Sequence, residues 1–336
     1  VLAISGVSTN ALTVAEAAYA HPQGCYYFIQ ATASVGPTFF MPVTGMKVPD
    51  TYEQLYGKEY VGSAVAVRSV AQGIRTSEWS IDGDVYGDAF GYWLGSFFGA
   101  EDFTSGTPNT HVFAADNTGN GQPVKYAWYV FDGVNMRVMV GRTSDLSIKF
   151  DPKALITYTA KIMGRASGVV PTVAPTFSSL QPAASWRSSL TLAGSYVRTP
   201  MTADFTFTRE EAENIPTLNG TQDPYDTFLG DISATMKTSM VKVDDSNLAN
   251  YVAGTTYTYL LTFTQGTGST EIVIAIQASV CNSDTVEPVL NGKAYNTEDI
   301  SATFVGNATD ANTSGTGLSP CRVTLENAVA TGVYLA

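Results

Sequence analysis

The sequence predicts a mainly β protein made of two tandem sandwich or barrel modules, each flanked by one short α-helix. Three observations predict it. Charged residues make up only 14% of the 336 residues, with 30 Gly and 18 Tyr, a profile that suits strands with hydrogen-bonding faces. Several segments alternate apolar and polar residues with period two. One strand–helix pattern occurs twice, in residues 73–99 (GIRTSEWSIDGDVYGDAFGYWLGSFFG) and 230–254 (GDISATMKTSMVKVDDSNLANYVAG). Gly73 and Gly230 lie 157 residues apart, as do Asp88 and Asp245, while Gly99 and Gly254 lie 155 apart. A near-constant offset of about half the chain is the mark of a doubled unit.

In chain order, residues 1–59 read as an N-terminal arm and irregular segment, with short apolar runs broken by Gly and Pro. The run VLAISGVSTNALTVAEAAYA lacks a basic start and is interrupted by polar residues, so it is expected to belong to the mature protein. A first module spans 60–168. It opens with a strand over Tyr60–Val70, then the first strand–helix pattern. Asp88 is expected to cap that helix, with Phe90, Trp93, Leu94, Phe97 and Phe98 forming one apolar face and Gly99 ending it. His111–Ala115 reads as a strand between two loops. Residues 124–131 and 134–140 read as a hairpin around Asp132-Gly133. Residues 145–151 and 156–162 alternate cleanly on either side of a turn at Asp151-Pro152.

Residues 169–185 carry prolines and no charge and read as a linker. A second module spans 186–336, with strands at 186–198 and 203–209 and a turn-rich stretch from Thr217 to Asp226. In its helix Asp245 is the cap and Leu248, Tyr251 and Val252 form the apolar face. Residues 257–265 and 270–279 pair across Gly266-Thr267-Gly268-Ser269, and final strands fall at 299–305 and 321–334. Gly164 and Gly306 are expected to close a strand in each half.

The formal charge is −12, unevenly placed: residues 1–168 hold 11 Lys/Arg against 14 Asp/Glu, and 169–336 hold 7 against 16. A basic nucleic-acid footprint is therefore absent. No window offers 18 unbroken apolar residues, which argues against a membrane-spanning helix. Three cysteines are too few for a disulfide scaffold of this length. Cys281 and Cys321 are expected as buried free thiols, the alternative being a pair with Cys25 left odd. The sequons at Asn219, Asn307 and Asn312 carry little weight in a Thr-rich chain.

No catalytic, cofactor-binding or metal-binding residue is assigned. The two histidines, His21 and His111, lack ligand spacing, and His111 in an apolar run reads as a hydrogen-bonded structural residue. Asp82 to Asp88 resembles the start of a calcium loop, but Tyr86 and Trp93 stand where ligands are needed. Glu210, Glu211 and Glu213 beside Arg209 read as a solvated turn. No phosphate-binding loop or nucleophile elbow is present.

Against that blank, three stretches carry a family likeness. VKYAWYVFDGVNMRVMVGRTSDLSIKFDPKALITYTAKIMG (124–164), EWSIDGDVYGDAFGYWLGSFFG ahead of a His-x-Phe element, and DFTFTREEAENIPTLNGTQDPYDTFLGDISATM resemble the major tail tube proteins of long-tailed (siphovirus-type) bacteriophages over roughly residues 60–310. The resemblance implies a non-enzymatic virion protein whose strands join those of neighbouring copies into a ring-lining β-barrel. Rings would stack into the tail tube, with long loops or terminal arms reaching the next ring. The tube is the conduit for DNA ejection, and it binds no sequence, membrane or cofactor. Partners implied are further copies, the tape-measure protein, and the tail terminator and distal tail proteins. Assembly would take place in the host cytoplasm. Two modules per chain favour a ring of three copies, with six as the alternative. An acidic lumen would repel DNA phosphates over a Debye length of about 8 Å. Two readings compete with this one. A virion decoration or receptor-binding β-module predicts exposed aromatics in a groove. A hydrolase predicts two facing carboxylates with separated pKa values.

Overall fold

The computed structural model describes residues 26–30, 39–58, 65–118, 121–192, 196–198, 200–218, 220–290, 295–311 and 317–335. The strands are β1 Tyr26–Gln30, β2 Phe39–Met41, β3 Gly45–Lys47, β4 Asp50–Gly57, β5 Ser69–Asp84, β6 Gly99–Thr104, β7 Asn109–Ala115, β8 Tyr126–Phe131, β9 Met136–Phe150, β10 Thr157–Arg165 and β11 Gly168–Val170. They continue as β12 Ser188–Leu192, β13 Tyr196–Arg198, β14 Pro200–Arg209, β15 Glu213–Ile215, β16 Asp226–Phe228, β17 Ile232–Val241, β18 Tyr257–Gln265, β19 Ile272–Val289, β20 Thr297–Phe304 and β21 Arg322–Asn327. The helices are α1 Phe90–Phe98 and α2 Ser246–Val252.

The fold is mainly β and of sandwich type. Nineteen strands belong to one hydrogen-bonded sheet, and β15–β16 form a separate pair. Among the described residues the sheet does not close into a barrel, and no boundary divides it into two separate modules. Strand β9 pairs with β14 and β21 with β7, so both halves share one sheet, and one hydrophobic core runs through both. Pairing these edges internally removes two rows of unsatisfied backbone groups that separated modules would expose.

The long strands β9 and β19 make this possible, because each pairs in two places. The first part of β9 pairs with β8 and its second part with β10 and β14. Likewise β19 pairs with β18 through residues 272–281 and with β20 through residues 281–289.

The sequence places helix α1 on a flank; the structure buries all nine of its residues. Trp93 stacks on Trp128 at 4.7 Å between ring centroids and packs on Tyr158 at 5.3 Å. The far side of α1 is covered by the C-terminal segment, where Tyr334 lies fully buried against Tyr92 at 5.1 Å. Asp88 does not cap the helix. The cap position is Ala89, with no side-chain hydrogen bond, because the turn at residues 87–89 ends one residue later than the pattern implied. Gly99 ends α1 at φ +87, as expected.

Helix α2 is a weaker counterpart. Asp245 holds its cap position but makes no capping bond; its carboxylate pairs with Lys242 at 2.5 Å instead. Of the expected apolar face only Leu248 packs on the core, while Tyr251 and Val252 are exposed.

Other elements differ in extent. Residues 134–140 and 145–151 are parts of the single strand β9. The expected strand over Tyr60–Val70 reduces to Ser69–Val70 at the start of β5; residues 65–68 are irregular and 60–64 lie outside the described residues. The segment before residue 60, expected to be irregular, contributes β1 to β4. Residues 186–198 hold a short 3-10 turn and two strands, and the last strand ends at Asn327. Gly164 lies inside β10 rather than closing it. In the Pro-rich stretch Ala183 is buried and its backbone exchanges hydrogen bonds with Val85 and Ile156.

Candidate functional site

The largest organised polar surface is one face of seven neighbouring strands. Their order is β5, β10, β9, β14, β17, β20 and the second part of β19, each antiparallel to the next. Alternation sends Leu146, Ile148, Phe205, Phe207, Met236 and Ile300 into the core. The intervening residues line up across the strands in rows. One row runs Asp82, Thr159, Ser147, Thr206, Thr235, Thr303 and Asn282. The next runs Asp84, Thr157, Lys149, Asp204, Lys237, Ser301 and Thr285. Flanking rows hold Ser80, Lys161, Asp145, Thr208 and Ser233 on one side, and Thr202, Ser239, Asp299 and Glu287 on the other.

These rows carry six carboxylates (Asp82, Asp84, Asp145, Asp204, Asp299 and Glu287) against three lysines (Lys149, Lys161 and Lys237). The charges are neutralised locally where they can be: Lys161 sits 3.6 Å from Asp145. Hydroxyls knit the rest. Thr159 donates to Asp82 at 2.6 Å, Thr303 to Asp284 at 2.7 Å, and the Thr285 and Ser301 hydroxyls share a bond at 2.6 Å. Burial pushes the Asp84 carboxyl above its ordinary value. The face is a wet, slightly acidic wall, without an aromatic platform for bases or a basic track for phosphates.

At one end of the face, β4 and the first part of β5 continue as a two-stranded arm. Its residues are mostly exposed, among them Tyr52, Leu55, Tyr56 and Val70. At the arm's base the Arg75 guanidinium pairs with Asp223 at 2.5 Å.

Asp82 and Asp84 lie on strand β5 facing the polar wall, so the stretch that resembled a calcium loop begins as strand and only residues 85–88 lie in the connection to α1. Among the described residues no group of three or more His, Cys, Asp or Glu could hold a metal. His111 is buried, with Nδ1 2.5 Å from a Glu101 carboxylate oxygen and Nε2 3.1 Å from the Val329 carbonyl. Glu210, Glu211 and Glu213 are exposed around a turn. Cys281 and Cys321 are free and buried, and burial pushes both thiols up, Cys281 to about 12. His21, Cys25, Asn219 and Asn312 lie outside the described residues; Asn307 bridges to Ser319.

Sequence reasoning missed Arg209. Its guanidinium is buried and donates to the carbonyls of Phe97 (Nε 3.0 Å, Nη2 2.7 Å), Phe98 (3.2 Å) and Gly230 (3.2 Å). It thus caps the C-terminal end of α1 from the other half of the chain, where a cation meets the negative end of the helix dipole. Desolvation by burial brings its pKa down to about 10.

A face of paired strands with a wet side, a packed side and an arm is the form a wall-building structural protein presents. The profile of the phage tail tube protein family matches residues 61–332. The chain belongs to that family, and its role is structural: it builds the tube through which phage DNA passes, and it is not an enzyme. No curated protein matches the chain significantly.

Proposed function

We propose that the seven-strand polar face is the lumen wall of the tail tube and that three copies of the chain close each ring. The observation that carries this is the unbroken run of seven antiparallel strands with one polar face. The β3–β4 edge extends that run by one more strand beside β5. At about 4.8 Å per strand and a tilt of about 40°, three copies of eight strands enclose a barrel of roughly 24 Å backbone radius. Inward side chains take up about 5 Å of that radius, half the ~10 Å spacing of packed sheets, leaving a hole of about 38 Å. Six copies would leave about 86 Å by the same estimate. The smaller hole admits one duplex with a layer of water; the larger would admit several side by side.

The reading includes a doubled chain, supported by pairings that repeat. In the first half β1 pairs with β8, β8 with β9, β9 with β10, and β10 with β5. In the second, β12 pairs with β18, β18 with β19, β19 with β20, and β20 with β17. A helix follows β5 in one half and β17 in the other. On this reading the first unit includes β1 to β4 rather than beginning at residue 60, residues 169–185 connect the units, and the second runs from residue 186. The ring then has pseudo-six-fold symmetry.

The net acidity of the lumen rows keeps DNA phosphates from adhering. The exposed arm reaches the adjacent ring, and the tube's ends meet the tape-measure, terminator and distal tail proteins of a long-tailed phage, assembled in the host cytoplasm. Electron microscopy and native mass spectrometry of the purified chain test the reading. Stacked rings of three chains with a hole of about 38 Å are expected. Compact single particles would overturn it in favour of a decoration or receptor-binding module.

A further inference from the structure

We infer that neighbouring copies in the ring are joined by β19 of one chain and the β3–β4 edge of the next, in the register of the internal β9–β14 seam. The inference rests on the tube reading above.

Two constant offsets carry it. Ile81 of β5 pairs with Met46, and Thr238 of β17 pairs with Ala203. Both members of the second pair lie 157 residues beyond those of the first, and the same holds for Asp50–Ser77 against Phe207–Ala234. Residues 45–51 are therefore the counterparts of residues 202–208 in β14. On the other side of the unit, Ala160 pairs with Ile81 and Leu146, and Ile300 pairs with Thr238 and Val286. Here the offset is 140, so the second part of β19 is the counterpart of the second part of β9.

Inside the chain, the second part of β9 is joined to β14: Phe150 faces Ala203, Ile148 faces Phe205 and Leu146 faces Phe207. Among the described residues, the counterparts have no such partner. β3 and β4 pair only with β5, and residues 285–289 pair only with β20. With β3–β4 as an eighth strand beside β5, these are the two outer edges of the extended face, each an open row of backbone donors and acceptors. Applying both offsets to the internal seam sets Met46 opposite Leu290 of the next copy, Lys47 opposite Val289 and Val48 opposite Pro288. The chemistry fits. Met46 and Val48 are partly buried against the core, whereas Leu290 is 78% exposed in the single chain and would be covered at the seam. A slip of one residue would set Leu290, a core-side residue, opposite Lys47, which its pairing with Ser80 holds on the polar side.

Cysteine cross-linking on the full chain tests the register. K47C/V289C places its thiols on the polar side and M46C/L290C on the core side. Adjacent pairs alternate between the wide and narrow spacings of an antiparallel ladder, so one of the two meets disulfide geometry. In the control K47C/T285C the cysteines are four residues out of register, about 13 Å along the strand. Under mild oxidation, at least one in-register variant is expected to give a ladder of linked chains ending at three. Its yield should be at least tenfold above the control and above the parent chain, whose Cys281 and Cys321 are buried. Rings by microscopy with neither in-register variant linking, or with the control linking as well as they do, would overturn the register and leave the tube reading standing. Chains that neither link nor form rings would overturn both.

Discussion

Replacing Arg209 by Lys should destabilise the fold more than replacing it by Met. Arg209 supplies the bonds from its guanidinium to the Phe97 and Gly230 carbonyls, while Phe98 keeps a second donor in the Asp116 amide at 3.1 Å. Leaving a buried carbonyl unsatisfied costs about 1–3 kcal/mol; the Phe97 carbonyl would bear that in full and the part-buried Gly230 carbonyl less, for roughly 2–5 kcal/mol together. Against this stands the cost of keeping the guanidinium charged in the interior. Its pKa falls from 12.5 to about 10, equivalent to about 3 kcal/mol. Met removes that cost together with the bonds, for a net change centred on a loss of about 1 kcal/mol. Lys retains a buried charge, lacks the planar fork and reaches fewer carbonyls, for a loss of about 3–4 kcal/mol. Urea unfolding of the three chains under identical conditions reads the order from their midpoints if the slopes agree. An R209K midpoint at or near the parent's, with R209M well below it, would refute the reasoning.

Three further outcomes follow from buried groups. Cys281 and Cys321 should resist a thiol reagent in the folded chain at pH 8 and react fully in denaturant, since their buried thiols hold their protons; fast native labelling of either would contradict the burial. At Asp50, desolvation raises the pKa, but hydrogen bonds from Ser167 and Ser77 and the charge of Arg137 outweigh it and hold the carboxyl below 3.8. Its contribution is therefore present above the unfolded pKa and lost as pH falls through the lower folded value; D50N should lower the melting temperature at pH 7, with the gap to the parent closing toward pH 2. A Cβ on Gly91 would come within 2.4 Å of the Tyr334 ring, so G91A should destabilise despite an intrinsic helix gain of about 1 kcal/mol. Proteolysis of residues 328–335 should then quicken, and an unchanged digestion pattern would show that the C-terminal segment is not seated on α1.

How much of this was legible in the sequence depended on whether a pattern was local. The apolar spacing of Phe90, Trp93, Leu94, Phe97 and Phe98 gave α1, and Asp132-Gly133 gave the β8–β9 hairpin, with Gly133 at φ +91. The junction inside β9 was hidden because Gly141 to Ser144 are all buried, so alternation stops where the strand does not. Strands β1 to β4 are short and take their order from distant partners such as β8 and β5. The acidic turn after Arg209 was legible, but the burial of Arg209 was not, since its main partners lie 112 residues away. The polar wall was visible only as alternating Thr and Ser; its rows needed the register. The repeat was visible at its glycines and aspartates, and the same offset of 157 reappears in the pairing of β5 and β17.

The β9–β14 pairing also has a mechanical side. In a tube under outward pressure from packed or moving DNA, the circumferential load is carried across strands by backbone hydrogen bonds. Within each chain these seams are tied together covalently through the loops, so a bond that opens is held in place to re-form. With β9 and β14 in one polypeptide, a three-chain ring has three seams that can separate outright where six single-unit chains would have six. Bursting resistance would then be set by residues 285–290 and 45–51, the one stretch of wall with no chain connection behind it.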